Sequence, residues 1–83
     1  MQLFLKIENV YLLDKRIFTL NIENPMPIEY LKALAIDKII DHYGILGCNY
    51  VFTHSGKMLL DNMMLSDYNI TDNSTIMIKL KQN

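Results

Sequence analysis

Residues 74–81 read STIMIKLK, and this stretch decides the fold. Isoleucine or leucine occupies every second position from 76 onward, and other side chains stand between them. Such an alternation predicts a strand with one buried face, because successive side chains of a strand point to opposite faces. We therefore expect the core to receive Ile76, Ile78 and Leu80, and solvent to receive Met77 and Lys79.

Two similar segments open the chain. Residues 1–7 and 16–23 both alternate, and we predict that they pair as a hairpin. The connection, residues 8–15, would be longer than most hairpin loops, and it contains a run of apolar residues from 10 to 13. A loop of this kind either binds a partner or folds back over the core of the domain.

A helix is predicted after the segment NPMP, residues 24–27. Proline cannot donate to a sheet ladder, so this segment ends the strand, and Pro27 suits the first helical position. Apolar residues then recur at spacings of three and four up to Gly44, a natural helix terminator. These apolar residues are Ile28, Leu31, Ala35 and Ile39.

Strand patterns return at residues 49–54 and 57–60, joined by a Ser-Gly turn, and residues 65–70 form a compact irregular segment. The predicted fold is α+β, in two layers, with one helix packed across one face of a mixed sheet. The other face of the sheet would be open to solvent. Such a face offers a binding surface rather than a pocket.

Composition narrows the classes of function. The chain has 83 residues, 51% of them hydrophobic, a net charge of −1 and one cysteine. These values are typical of one small globular domain, and we expect residues 1–83 to form a single domain. The balanced charge disfavours a nucleic-acid partner, and no apolar run reaches the ~18 residues of a membrane span. We expect a monomer without nucleic-acid or membrane partners, located in the cytoplasm or nucleus, where a lone cysteine stays reduced.

Catalytic and metal chemistry find little support in the sequence. Cys48 would need a nearby base, and His42 and His54 each lie six positions away. The same three residues lack the paired spacing that specifies zinc. We therefore expect a protein that is not an enzyme and that uses no cofactor and no metal.

Three segments carry a resemblance to a known family. The chain begins MQLFLKI, YVF at residues 50–52 is followed by GK at residues 56–57, and LSDYNI at residues 65–70 precedes the final strand. In these segments the chain resembles ubiquitin and the ubiquitin-like domains. The resemblance implies a β-grasp fold, a protein-recognition surface, and a hydroxyl of Tyr68 that ties down the loop near Leu60 and Asp61.

The resemblance also suggests which kind of ubiquitin-like protein this is. Residues 79–83 read KLKQN, without the glycine pair through which modifiers are attached. We therefore expect a domain that is not conjugated, the N-terminal module of a longer protein, docking on ubiquitin-recognising partners such as proteasome receptor subunits. One alternative is a modifier whose glycine pair follows Asn83. Another is an adaptor in splicing or another assembly, using Ile36 and Ile40 on the flank of the helix.

Two candidate surfaces follow from the resemblance. We call the first surface the principal patch. Its central residues lie on the third strand, on the last strand and in the turn between strands three and four, and the apolar loop of the first hairpin lies beside them. Its residues are Val51, Met77, Lys79, Gly56, Lys57, Val10, Tyr11 and Leu12. The second surface lies on the outward side of the first hairpin and consists of Gln2, Phe4 and Thr19. Lysines near the principal patch would favour acidic partner helices.

Overall fold

A computed structural model of the chain describes residues 1–9, 13–23, 25–44 and 48–82, with the side chains of residues 48 and 82 left undescribed. The elements, in chain order, are β1 (Gln2–Asn9), β2 (Asp14–Asn21), α1 (Ile28–Tyr43), β3 (Cys48–His54), β4 (Lys57–Met58), a 3₁₀ turn (Leu65–Tyr68) and β5 (Thr75–Gln82). The strands form one sheet in the order β2-β1-β5-β3-β4. β1 and β5 pair in parallel and the other neighbours are antiparallel.

The helix packs across one face of this sheet, which confirms the predicted two-layer α+β arrangement. The buried face of α1 presents Ile28, Leu31, Ala35 and Ile39, the same four residues that the sequence predicts. They join the inward side chains of β1 and β5 in one core cluster. Each large aliphatic side chain buried in this way stabilises the fold by about 1.5–3 kcal/mol. No helix in the described ranges is long and apolar enough to cross a membrane.

Two residues explain where α1 begins and where it ends. Pro27 precedes the helix in an extended conformation, with ψ of 154°, so it caps α1 and is not its first residue as predicted. Gly44 ends the helix with φ of 82° and ψ of −175°. That region of backbone space is essentially restricted to glycine, since a Cβ would strain it. The predicted terminator is therefore confirmed.

The first hairpin differs from the prediction. β1 runs to Asn9 and β2 begins at Asp14, so the connection spans residues 10–13 and not 8–15. These strand ends consist of polar residues, so the apolar alternation does not reveal them. Asn9 is nevertheless fully buried, and it pairs with Leu80 of β5 and with Asp14 of β2. Pairing across the sheet thus extends both strands beyond their apolar segments, and the loop has an ordinary hairpin length.

The second half of the chain follows the prediction, except that β4 ends at Met58 and not at residue 60. Ser55 and Gly56, both with positive φ, form the turn between β3 and β4, which matches the right-handed twist of a hairpin. In the 3₁₀ turn Leu65 is buried, and the hydroxyl of Tyr68 accepts a hydrogen bond of 2.9 Å from the backbone N–H of Leu60. The predicted role of Tyr68 is therefore confirmed.

Candidate protein-interaction surface

The outer face of the sheet is the face that α1 leaves uncovered. On β5 the inward side chains are buried, and Thr75, Met77, Lys79 and Lys81 are exposed, as the sequence predicts. This alternation follows from the pleat of the strand, which turns neighbouring side chains to opposite faces. The outer face is therefore free to meet another protein.

Three residues of the principal patch meet on this face. Val51 of β3 pairs with Lys79 of β5, and Thr53 pairs with Met77. Val51 is half-buried and Met77 retains 40% exposure. Residues directly opposite in an antiparallel pair have Cβ atoms about 4.5–5.5 Å apart, so these side chains form one contiguous surface.

A depression of about 280 Å³ lies over the same three residues. Its walls reach from β2 across β1 and β5 to β3. The remaining lining residues are Lys6, Ile7, Glu8, Lys15, Thr53, Ile78 and Lys81. The outer face is thus concave where Val51 and Met77 lie, which suits the seating of a convex partner.

The charge around the depression is mostly positive. Lys6, Lys15, Lys79 and Lys81 line it together with one carboxylate, Glu8. The two ion pairs that the structure shows among described residues, Arg16 with Asp14 and Lys32 with Asp61, involve none of these four lysines. The lysine stems add apolar surface to the walls while their ammonium groups stay in water.

Gly56 and Lys57 occupy a different part of the sheet. Both are exposed, and Gly56 belongs to the β3–β4 turn. Lys57 pairs with His54, whereas the outer-face residue Thr53 pairs with Met58. The position beside Thr53 on the outer face therefore belongs to Met58, which is 62% exposed.

The second candidate surface is adjacent to the first. Phe4 pairs with Thr19 on one side and with Thr75 on the other, and Gln2 is two positions before Phe4. Thr19 is exposed, and Gln2 and Phe4 are partly buried. The three residues are therefore brought together, on the same face as Met77.

The apolar hairpin loop cannot be placed in the same way. Val10, Tyr11 and Leu12 lie outside the described residues. Leu13, which follows them, is 91% exposed and has a positive φ of 50°. Leu13 thus presents apolar surface to solvent at the end of the first hairpin.

A polar cluster joins the start of β2 to the end of α1. The Oδ2 atom of Asp14 accepts hydrogen bonds from Nε of Arg16 at 2.8 Å and from the hydroxyl of Tyr43 at 2.9 Å. The bond from Arg16, followed by that from Tyr43, lowers the pKa of Asp14 below its usual value. Burial, followed by the bond to Asp14, raises the pKa of Tyr43. The cluster holds β2 against the helix and so fixes one edge of the outer face.

Two of the residues considered for catalysis, Cys48 and His54, lie apart. They are the first and last residues of β3. Six strand steps of about 3.3 Å separate them by about 20 Å, too far for proton transfer. Within the described part of the chain, no three side chains of His, Cys, Asp or Glu gather as metal ligands would.

Sequence reasoning missed two apolar residues of the outer face. Ile17 of β2 is 65% exposed and pairs with Lys6, and Met58 is its counterpart at the other edge of the sheet. The alternation in β2 does place Ile17 outward. Its neighbours across the sheet depend on the strand register, which local sequence does not encode.

Comparison with known families gives one result and comparison with curated proteins gives none. The sequence model of the Ubiquitin family matches residues 5–83. No curated protein matches the chain. The family match covers α1 and all five strands described above, apart from residues 2–4 of β1.

Proposed function

The chain belongs to the ubiquitin family, and from this premise we propose that it is a non-catalytic interaction domain that docks on ubiquitin-recognising partners. Proteasome receptor subunits are one class of such partners. The observation that supports this proposal is the meeting of Val51 and Met77 over a concave part of the outer face. Exposed apolar side chains grouped in this way mark interaction sites more often than scattered ones do.

The chemistry of the surface suits weak and reversible binding. The apolar anchors are few, and Met77 is flexible and polarizable, a property of adaptable interfaces. The smallest specific protein–protein interfaces bury less than about 1,200 Å² in total, and they serve transient encounters. The lysines around the depression would speed association with an acidic partner and help to select it.

The helix flank is the competing surface for an adaptor. Ile36 packs against the core cluster, and Ile40 is half-buried. Much of their apolar surface is therefore already used inside the domain. The outer face offers more apolar area that is not used by the fold, so we assign docking to it.

The proposal is tested by titrating the ¹⁵N-labelled chain with a synthetic ubiquitin-interacting helix and following amide shifts. We expect the largest shifts at Val51, Thr53, Met77 and Lys79. Met77→Gln should weaken binding about tenfold, which corresponds to ~1.4 kcal/mol, because it replaces an apolar anchor by an amide of similar size.

A matched control is available on the helix. Leu34 is 39% exposed, nearly the same as Met77 at 40%, but it lies on α1. Leu34→Gln should leave the affinity unchanged. Shifts confined to α1, or equal affinities for wild type and Met77→Gln, would contradict docking through the outer face and favour the adaptor function.

A further inference from the structure

The register of the sheet aligns one residue from each strand in a row across the outer face. In spatial order from one edge to the other, the row runs through all five strands. Its members are Ile17, Lys6, Met77, Thr53 and Met58. We call this row the apolar stripe, since its first, third and fifth members are the exposed apolar residues Ile17 (65%), Met77 (40%) and Met58 (62%).

The spacing of these apolar residues matches that of one face of a helix. Neighbouring strands lie about 4.8 Å apart, so apolar members of the stripe are about 9.6 Å apart. Residues seven apart in an α-helix lie on the same face after nearly two turns and are about 10.5 Å apart. A straight helix across the strands could therefore set one side chain on each apolar member.

A helix along the strands would meet a different surface. Following β5 on the outer face, Met77 is succeeded by Lys79 and Lys81. On β5 a helix in that direction would find one apolar residue and then two ammonium groups, with Val51 as the one apolar residue that β3 places beside them. The apolar contacts are thus aligned across the strands.

Apart from Lys6, which lies within the apolar stripe, the charges of the two neighbouring rows all lie on one side of it. The adjoining row on that side contains Lys15, Glu8, Lys79 and Val51. The row on the opposite side contains Thr19, Phe4 and Thr75, which carry no charge. A partner with carboxylates along one flank would therefore bind in one direction only, because reversal would move those carboxylates away from the lysines.

We propose that the outer face receives an amphipathic partner helix lying across the strands. Apolar side chains at intervals of about seven residues would contact Ile17, Met77 and Met58, and carboxylates on one flank would face Lys15 and Lys79. This inference rests on the docking function proposed above and specifies the shape, direction and charge of the partner.

The test uses a helix-stabilised synthetic peptide with leucines spaced seven residues apart and glutamates along one flank. A control peptide has the same composition with leucines spaced five apart, which spreads them around the helix. Fluorescence anisotropy with the whole chain gives the affinities. We expect the first peptide to bind at least about tenfold more tightly than the control.

Variants at the two ends of the stripe locate the contact. Ile17→Thr and Met58→Gln should each weaken binding about fivefold or more, through faster dissociation. Tyr30 on α1 is 66% exposed and provides the matched control, so Tyr30→Ser should have no effect. Exchange of the peptide glutamates for glutamine should weaken binding at least about threefold, and added salt should reduce this difference.

The outcomes separate this inference from the proposed function. If Met77→Gln weakens binding and the two end variants do not, docking stands and the transverse helix is wrong. If none of the three variants matters, both are wrong. Equal binding of the two peptides, or concentration-dependent dimers of the chain that the peptide fails to dissociate, would also overturn the transverse helix.

Discussion

Truncating two adjacent residues of β5 tests which of its faces is inside. Ile76 has no exposed surface, and Met77 is 40% exposed. Isoleucine has a higher strand propensity than methionine, but the whole propensity scale spans only about 1 kcal/mol. The difference between Ile76→Ala and Met77→Ala in the free energy of unfolding therefore reports mainly burial.

The expected costs differ clearly. Ile76→Ala removes buried atoms from beneath α1 and should lower the free energy of unfolding by about 3–4 kcal/mol, the loss of transfer energy plus the cavity left behind. Met77→Ala removes a side chain that is partly in water, which at about 25 cal/mol per Å² should cost about 1 kcal/mol. The total stability of a domain this size is about 4–12 kcal/mol, so the first change takes a large share of it.

Urea denaturation of both variants at pH 7 measures the difference. With a slope of about 1 kcal/mol per M, the midpoint of Ile76→Ala should lie about 2 M below that of Met77→Ala. If Ile76→Ala does not fold, Ile76→Val provides the measurement: the loss of one buried carbon should cost about 1 kcal/mol, as much as the loss of three side-chain atoms in Met77→Ala. Equal losses in the two alanine variants, or a larger loss at Met77, would refute the assignment of faces and with it the outer-face surface.

Other predictions concern single contacts of the fold. Tyr68→Phe should lower the free energy of unfolding by about 1 kcal/mol, since Leu60 N–H loses its acceptor, and calorimetry would show it as a lower Tm. Gly44→Ala should cost about 1–3 kcal/mol from backbone strain alone, because no atom lies within 4 Å of the added Cβ; an unchanged urea midpoint would argue against the φ of 82°. Asp14, whose pKa is lowered mainly by the hydrogen bond from Arg16, should stabilise the fold above its unfolded pKa of about 3.8, and this contribution should be lost as the pH falls through the lower folded value. The urea midpoints of wild type and Asp14→Asn should therefore differ at pH 6 and converge near pH 2, and a gap that widens in acid would contradict the bond.

Local patterns were sufficient to predict most of the elements and their arrangement in two layers. Alternation identified β5 and the two strands of the first hairpin, and the apolar spacing gave the four buried residues of α1. These signals can be read from a single sequence, because burial of one face makes apolar residues recur every two residues in a strand and about every 3.6 residues in a helix. The segment LSDYNI also predicted the compact turn at residues 65–70 and the hydrogen bond of Tyr68, neither of which the periodicity of apolar residues reveals.

Features that depend on distant residues could not be predicted. The extra length of β1 and β2 comes from Asn9, a polar residue with low strand propensity that is buried beside β5. The cluster of Asp14 and Tyr43 joins residues 29 positions apart. The apolar stripe required the register of all five strands, so Ile17 and Met58 entered the candidate site only with the structure.

The parallel pairing of β1 with β5 has a consequence for synthesis in the cell. Phe4 pairs with Thr75, and β5 fills the middle of the sheet between β1 and β3. While a ribosome still holds the last strand, the first hairpin and the β3–β4 hairpin have no common neighbour to join them. Nascent chains should therefore reach the native layers only after β5 has left the exit tunnel, and until then the edges of β1 and β3 that β5 will cover lack their partner.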